Sequence, residues 1–241
     1  MKLKVVKTVR IISFILLVLF FIGTINFLFP IIKSINTEEG RIVAQDKIKN
    51  QGIVGMLFII IIEILKIFTI FFPGEPIELL SGMCFGPIVG LIVIYVGIAI
   101  STFLISKIVK FLGVDFVKSL IKEEKYDKVN DMFEKYPKRV EGILFLLYFL
   151  PIVPKDFITY FGSLLPISSK RFLFISLVAR FPAVFSSTLI GSLILSGKFI
   201  ESLLVYIFTY FITGIIIFIY RYTILRKEEI KEKNEDKKYK I

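Results

Sequence analysis

Long apolar runs constrain this chain more than any other feature of its sequence. A helix that crosses a bilayer needs about 20 apolar residues in a row. Of the 241 residues, 56% are hydrophobic, and the mean hydropathy is +0.81, which exceeds what a soluble domain of this size can bury. The sequence therefore predicts an all-α integral membrane protein. Its apolar runs are Ile11–Ile32, Ile53–Phe72, Gly90–Leu112, Phe172–Leu195 and Leu203–Leu225.

The first run follows the basic segment MKLKVVKTVR. Because the run is longer than the apolar core of a signal peptide and no small-residue cleavage site follows it, we expect an uncleaved first span. The formal net charge of the chain is +11. Since the Lys and Arg residues lie beside apolar runs, the expected partners are anionic lipid headgroups and not nucleic acid.

Residue types that are missing exclude several kinds of chemistry. The chain contains no His and a single cysteine, Cys84, which excludes intrachain disulfides, zinc clusters and Cys-His catalysis. The sequence has no phosphate-binding loop, dinucleotide fingerprint or nucleophile elbow. We therefore expect no cofactor, no metal and no enzymatic activity, since no nucleophile with a partner base is visible.

The distribution of positive charge predicts how the chain is oriented in the cell membrane. Four Lys or Arg residues lie in the first ten residues, seven between Gly113 and Glu141, and seven in the tail RKEEIKEKNEDKKYKI. We place all three segments in the cytoplasm, which requires that residues 53–89 and 142–169 each enter and leave the bilayer on one side. The sequence thus predicts about four full transmembrane helices and two opposed re-entrant helical hairpins.

An internal repeat supports the two hairpins. The pattern E-x9-P-x2-P-x-E/D begins at Glu63 and again at Glu141, and each copy continues with a glycine and then Pro-Ile. Proline breaks a helix, and two copies that enter from opposite faces form an inverted repeat, an architecture of many transporters. The predicted hairpin turn residues are Pro73, Gly74, Pro76, Gly82, Pro151, Pro154 and Gly162.

Charged residues in and beside the hairpins form the candidate site. Non-helical backbone at membrane depth is tolerated only where it is buried in protein or lines a cavity, so we expect these charges to converge on one wet cavity. Desolvation raises the proton affinity of a carboxylate, and a lysine there can meet a phosphate. The candidate path for substrate or protons comprises Glu63, Lys66, Glu75, Glu78, Lys155, Asp156 and Arg180.

Simpler interpretations stay open for some of these residues. Glu78 and Asp156 can cap the helix after each proline turn, where acids are favoured. Lys66, three residues after Glu63, shares a helix face with it and can serve only to neutralise it. An isolated arginine within a span is costly, so we expect Arg180 to face a cavity or to pair with an acid.

Outside the candidate path, a solvated role at the membrane edge is favoured for Glu141. Residues 114–138 combine charges with spaced apolar residues and predict one amphipathic helix, or a pair of short ones, on the inner leaflet. The chain then divides into a first span with an external linker (1–52), a core (53–200) and a last span with a basic tail (201–241). The core comprises hairpin 53–89, helix 90–112, the cytoplasmic amphipathic segment 113–141, hairpin 142–169 and helix 171–195.

Both hairpins resemble a known family. The segments FPGEPIELLSGMCFGPIVGLIVIYVGIAISTFLISKI and FLPIVPKDFITYFGSLLPIS are similar to the DedA-like superfamily, also called the VTT-domain or SNARE-associated Golgi protein family, in its bacterial Tlg-vesicle-protein-like branch. The resemblance covers about residues 51–197. It implies functional roles for Glu63 and Glu75. Where the family often has an arginine before the second proline turn this chain has Tyr148, and Lys155 and Asp156 are the candidates to replace that arginine.

The resemblance also implies a function. Relatives are implicated in moving phospholipids or the polyprenyl-phosphate carrier between leaflets, some with the proton motive force. We therefore expect a lipid flippase or scramblase, with proton coupling as one variant. A proton- or ion-coupled transporter of small solutes and a membrane scaffold that transports nothing are the alternatives.

The predicted orientation can be tested with single cysteines in a chain whose Cys84 is replaced. Cysteines at Ser34 and Ser202 are expected to react with a membrane-impermeant thiol reagent added to intact cells, because both residues are predicted to be external. Cysteines at Ser119 and Asn234 are expected to react only after the cells are opened. Labelling of residue 119 in intact cells would contradict the orientation and both hairpins with it.

Overall fold

The computed structural model describes residues 52–69, 73–120, 139–149 and 154–238, with scattered single residues before 52 and between 126 and 133. These ranges are helical apart from short connections and contain no strand, which confirms the all-α prediction. The predicted first span, Ile11–Ile32, lies largely outside the described residues.

Seven helices can be numbered along the described ranges. They are α1 (Gly52–Lys66, followed by a 3-10 turn, Ile67–Thr69), α2 (Glu75–Leu112), α3 (Val114–Leu120), α4 (Val140–Phe149), α5 (Lys155–Gly162), α6 (Ser169–Leu195) and α7 (Phe199–Lys238). Three segments are long and apolar enough to cross a membrane: α2, α6 and residues Phe199–Ile216 of α7. They contain or overlap three of the predicted spans, whereas the total number of spans and the re-entrant course of the hairpins stay predictions.

Helix α2 is broken at Gly86, which adopts φ 77° and ψ 175° just before Pro87. Glycine is favoured here because other residues rarely adopt positive φ. The hydroxyl of Ser81 donates to the carbonyl of Gly90 across 3.0 Å, although nine residues of a straight helix would span about 14 Å. The two parts of α2 therefore turn sharply against each other.

The break corrects one predicted turn residue. Gly82 lies within the helix before the break, where it is buried against α6, and not in a turn. Pro73 and Gly74 directly precede α2, Pro76 is in its first turn, and Pro154 directly precedes α5. Gly162 ends α5, and Pro151 lies outside the described residues.

The two long helices that follow the proline turns run antiparallel. Near one end of the contact, the Thr188 hydroxyl donates to the carbonyl of Pro87. Towards the other end, Tyr95 donates to the carbonyl of Leu177 and Lys110 to the hydroxyl of Ser169. Opposite directions are what two oppositely oriented copies of a repeat require. The order of helix, proline break, short helix and long helix also recurs in α1–α2 and in α4–α6.

The described aromatic residues of segment 113–141 pack against helix α5. Phe116 stacks at an angle on Tyr160 of α5, and Tyr126 and Phe133 contact the ring of Phe161. Phe116, Tyr126 and Phe133 are each less than 10% exposed. The apolar residues described in this segment therefore contact α5, and its position on the inner leaflet stays a prediction.

Helices α2 and α6 approach so closely that only glycine fits at two positions. A Cβ on Gly82 would overlap the backbone of Thr188, and a Cβ on Gly191 would overlap the carbonyl of Leu79. Small residues allow such contacts in membrane proteins, where packing replaces the hydrophobic effect as the driving force.

Substitution of these two glycines tests the contact. Gly82→Ala and Gly191→Ala are each expected to lower the thermal stability of the detergent-purified protein by about 1–3 kcal/mol, because the backbones must separate. Gly214→Ala on α7 is the matched control, since its Cβ would have nothing within 4 Å and alanine favours a helix. Equal stability of all three variants would contradict the close packing.

Candidate functional site

Five charged side chains lie together inside the protein. They come from α1, α2, α5 and α6, and each is at most 6% exposed. Electrostatic interactions connect Lys66 with every other member. Charges buried at this depth are costly unless they are paired. We call this group the buried charge cluster: Glu63, Lys66, Glu78, Asp156 and Arg180.

The first part of the cluster joins α1 to α2. Lys66 Nζ donates to Glu63 Oε1 across 2.6 Å, as the three-residue spacing predicts. A Cβ on Gly74 would lie 2.7 Å from Lys66 Nζ and 3.5 Å from Glu78 Oε1, so the ammonium group and the Glu78 carboxylate both contact the start of α2. Gly97 of α2 leaves room for the side chain of Glu63, whose Cβ and Cγ lie 2.7 Å from where a Cβ on Gly97 would be.

The second part is built around Arg180 of α6. Its Nη2 donates to the carbonyl of Lys155 (3.1 Å) and to Thr159 Oγ1 (2.9 Å), and its Nη1 lies 3.9 Å from Asp156 Oδ1. The guanidinium stacks 4.8 Å above the ring of Tyr148, which hydrogen-bonds Thr159. Arg180 therefore pairs with an acid, one of its two expected arrangements. An arginine does lie beside the second proline turn, but it comes from α6 and Tyr148 supports it.

The capping interpretation is not supported by hydrogen bonds. The residues at the N-caps of α2 and α5 are Gly74 and Pro154, and neither helix has a side-chain cap. Glu78 and Asp156 lie in the first turns, where the helix dipole favours a negative charge. Both carboxylates interact with cations of the cluster, so their role is not limited to stabilising the start of a helix.

The remaining two candidate residues line a separate cavity. Glu75 and Lys155 face it from the starts of α2 and α5, and its volume is about 100 Å³, enough for several water molecules. We call it the open cavity. The other side chains around it are Leu79, Phe149, Ala183, Ser186, Ser187, Ile190, Tyr206, Thr209, Tyr210 and Thr213.

The structure thus divides the predicted single cavity into two neighbouring polar regions. Residues close in sequence face different regions: Glu78 and Asp156 are in the cluster, whereas Glu75 and Lys155 line the open cavity. The carbonyl of Lys155 connects the two, because it accepts a hydrogen bond from Arg180. A role of these residues in a substrate or proton path stays a prediction.

Residues of α7 were not among the sequence candidates. Tyr206, Thr209, Tyr210 and Thr213 form one wall of the open cavity, and Tyr210 donates to Glu75 Oε1 across 3.3 Å. The spacing i, i+3, i+4, i+7 of hydroxyl-bearing residues in an apolar helix marks a face that avoids lipid. This signal was present in the sequence and identifies the wall.

Glu141, although it occupies the repeat position of Glu63, is exposed and pairs with Arg171 at 3.0 Å. This agrees with the solvated role favoured for it. Within the part of the chain that the structure describes, no group of three or more His, Cys, Asp or Glu residues could hold a metal ion.

Comparison with known proteins gives one match. The family model of the VTT domain matches residues 72–193, just over half of the chain. No curated protein and no solved structure matches the chain. The matched region includes α2, α5 and nearly all of α6, but not α1 or α7.

Removal of one partner from the Glu63–Lys66 pair tests its structural role. Glu63→Ala is expected to destabilise the purified protein by about 3–5 kcal/mol, because the Lys66 ammonium is left buried without its carboxylate. The double variant Glu63→Ala/Lys66→Ala is expected to recover most of this loss. Thermal unfolding in detergent measures both effects.

Glu141→Ala is the control for this experiment, since its pair with Arg171 is exposed and such pairs contribute about 0–1 kcal/mol. If Glu63→Ala is as stable as the wild type, the pair does not hold α1 in place.

Proposed function

This chain belongs to the VTT domain family and is a membrane protein of the DedA type, and from this premise we propose that it moves lipids between the two leaflets of the cell membrane. The proposed substrates are phospholipids or a polyprenyl-phosphate carrier. The observation that carries the proposal is the open cavity, which presents a carboxylate and an ammonium group, Glu75 and Lys155, next to apolar helix surfaces.

A polar cavity of this kind meets the main physical difficulty of lipid translocation. The acyl tails can stay in hydrocarbon, whereas a charged headgroup needs polar partners along its way. Leu203, Phe208 and Phe211 of α7 are strongly exposed on the outside of the helix that closes the cavity. In the proposed mechanism the headgroup occupies the cavity while the tails lie along this apolar surface.

The buried charge cluster has a supporting role in this proposal. It joins α1, α2, α5 and α6, and the hydrogen bond from Arg180 fixes the backbone of Lys155 at the cavity wall. The proposal covers an undriven scramblase and a proton-coupled flippase, since the carboxylates can carry protons. The pairing within the cluster also favours the scaffold alternative, in which the charges only hold the hairpins together.

Translocation by the purified protein in liposomes separates these functions. Glu75→Gln and Lys155→Met are each expected to slow the transfer of acyl-labelled fluorescent phospholipid or of polyprenyl phosphate at least about tenfold. The reason is that each removes a charged hydrogen-bonding partner of the headgroup, which contributes about 1.5–3 kcal/mol. The readout is the fraction of label that a membrane-impermeant quencher reaches with time.

Glu141→Gln is the matched control and is expected to leave the rate unchanged, because Glu141 is exposed at the start of α4, whereas Phe149 at the end of α4 lines the cavity. Wild-type rates in folded Glu75→Gln and Lys155→Met proteins would contradict the proposed path. A folded wild-type protein that moves no lipid would support the scaffold.

A further inference from the structure

Helix α7 carries a polar stripe that lies outside the region matched by the family model. Tyr206, Thr209, Tyr210 and Thr213 recur on one face and line the open cavity, whereas the matched region ends at residue 193. The Thr209 and Thr213 hydroxyls already donate to backbone carbonyls of α7. They therefore offer only acceptor lone pairs to a ligand.

Two aromatic rings of this stripe stand next to a carboxylate. The ring centroids of Tyr206 and Tyr210 are 4.6 Å apart with an interplanar angle of 40°, and Tyr210 donates to Glu75 Oε1. Donation to a carboxylate increases the electron density of a phenol ring, which strengthens its attraction for a cation. Aromatic faces beside a negative charge are a favourable environment for an ammonium group, and above all for a quaternary one.

Lys155 supplies the positive charge of the cavity, opposite in sign to Glu75. Its ammonium group forms no ion pair among the described residues, and its charge interacts with that of Glu75. An ammonium group of this kind favours a phosphate oxygen. The cavity therefore presents a cation-binding part and an anion-binding part within one small volume.

We propose that Tyr206, Tyr210 and Glu75 bind the amine of a zwitterionic phospholipid headgroup whose phosphate binds Lys155. The inference rests on the proposed function, which it makes more specific. A headgroup with phosphate alone would satisfy Lys155 but leave the aromatic and carboxylate part of the cavity without a partner. Specificity between zwitterionic and anionic lipids is thus assigned to α7.

Binding to the full-length protein in detergent tests the inference without transport. The probes are dihexanoyl-phosphatidylcholine and dihexanoyl-phosphatidylglycerol, which differ in the headgroup amine, and the readout is the dissociation constant of each. We expect the wild type to bind the choline lipid about tenfold more tightly, in the range of two cation–π contacts. Equal affinities, or a preference for the glycerol lipid, would overturn the inference.

Variants of α7 test which residues produce the preference for the choline lipid. Tyr206→Leu/Tyr210→Leu is expected to reduce the ratio of the two dissociation constants to about one. Tyr206→Phe/Tyr210→Phe keeps the rings and is expected to keep most of the preference for the choline lipid. Phe218→Leu is the matched control on α7, because this ring does not line the cavity and is 72% exposed. If the double leucine variant does not fold, Glu75→Gln serves instead and is expected to lower the preference several-fold. A preference that survives both changes would overturn the inference.

Transport and a soluble probe separate this inference from the proposed function. If the choline lipid is preferred but no lipid crosses the liposome membrane, the headgroup site stands and lipid translocation fails. If lipids cross at equal rates and bind with equal affinity, translocation stands and the site fails. Free phosphocholine is expected to bind much more weakly than the short-chain lipid; equal binding would identify a soluble solute as the ligand and overturn the lipid assignment.

Discussion

The cost of a charge at membrane depth determines much of this structure. Glu63, Lys66, Glu78, Asp156 and Arg180 are shielded from solvent, and each such charge requires a partner of opposite sign or a set of hydrogen bonds. The partners come from four helices, two in the first half of the chain and two in the second. The electrostatic requirement therefore fixes α1, α2, α5 and α6 relative to one another and, through the carbonyl of Lys155, fixes one wall of the open cavity.

The charges can meet only because glycine lets the backbones approach. Gly97 leaves room for Glu63, Gly74 for Lys66, and Gly82 and Gly191 bring α2 against α6. In a membrane the apolar side chains gain little by leaving lipid, so close contact and buried polar pairs supply most of the specificity of packing. The glycines and the charges are thus parts of one arrangement, in which the first allow the second to pair.

The sequence predicts some parts of this protein well and others poorly, for physical reasons. Apolar runs indicate helices because each satisfies its own backbone, and the Glu63–Lys66 pair follows from helical spacing alone. The sequence predicts Gly82 as a turn residue and does not predict the break at Gly86, since only the contact of Gly82 with Thr188 shows that Gly82 is helical. Glu75 and Glu78 face different regions, and Tyr148 packs on Arg180, because of the way α5, α6 and α7 pack together. Local sequence patterns carry no information about that packing.

The position of α7 has a consequence for how relatives can diverge. This helix lines the cavity with four side chains but provides none of the five buried charges, and it is joined to α6 by a short turn at Ser196–Lys198. A substitution on its cavity face changes the environment of a molecule in the cavity without disturbing the pairing that holds the other helices. Selection can therefore act on what the cavity binds and on the integrity of the core almost independently, and proteins with the same core can come to bind different molecules.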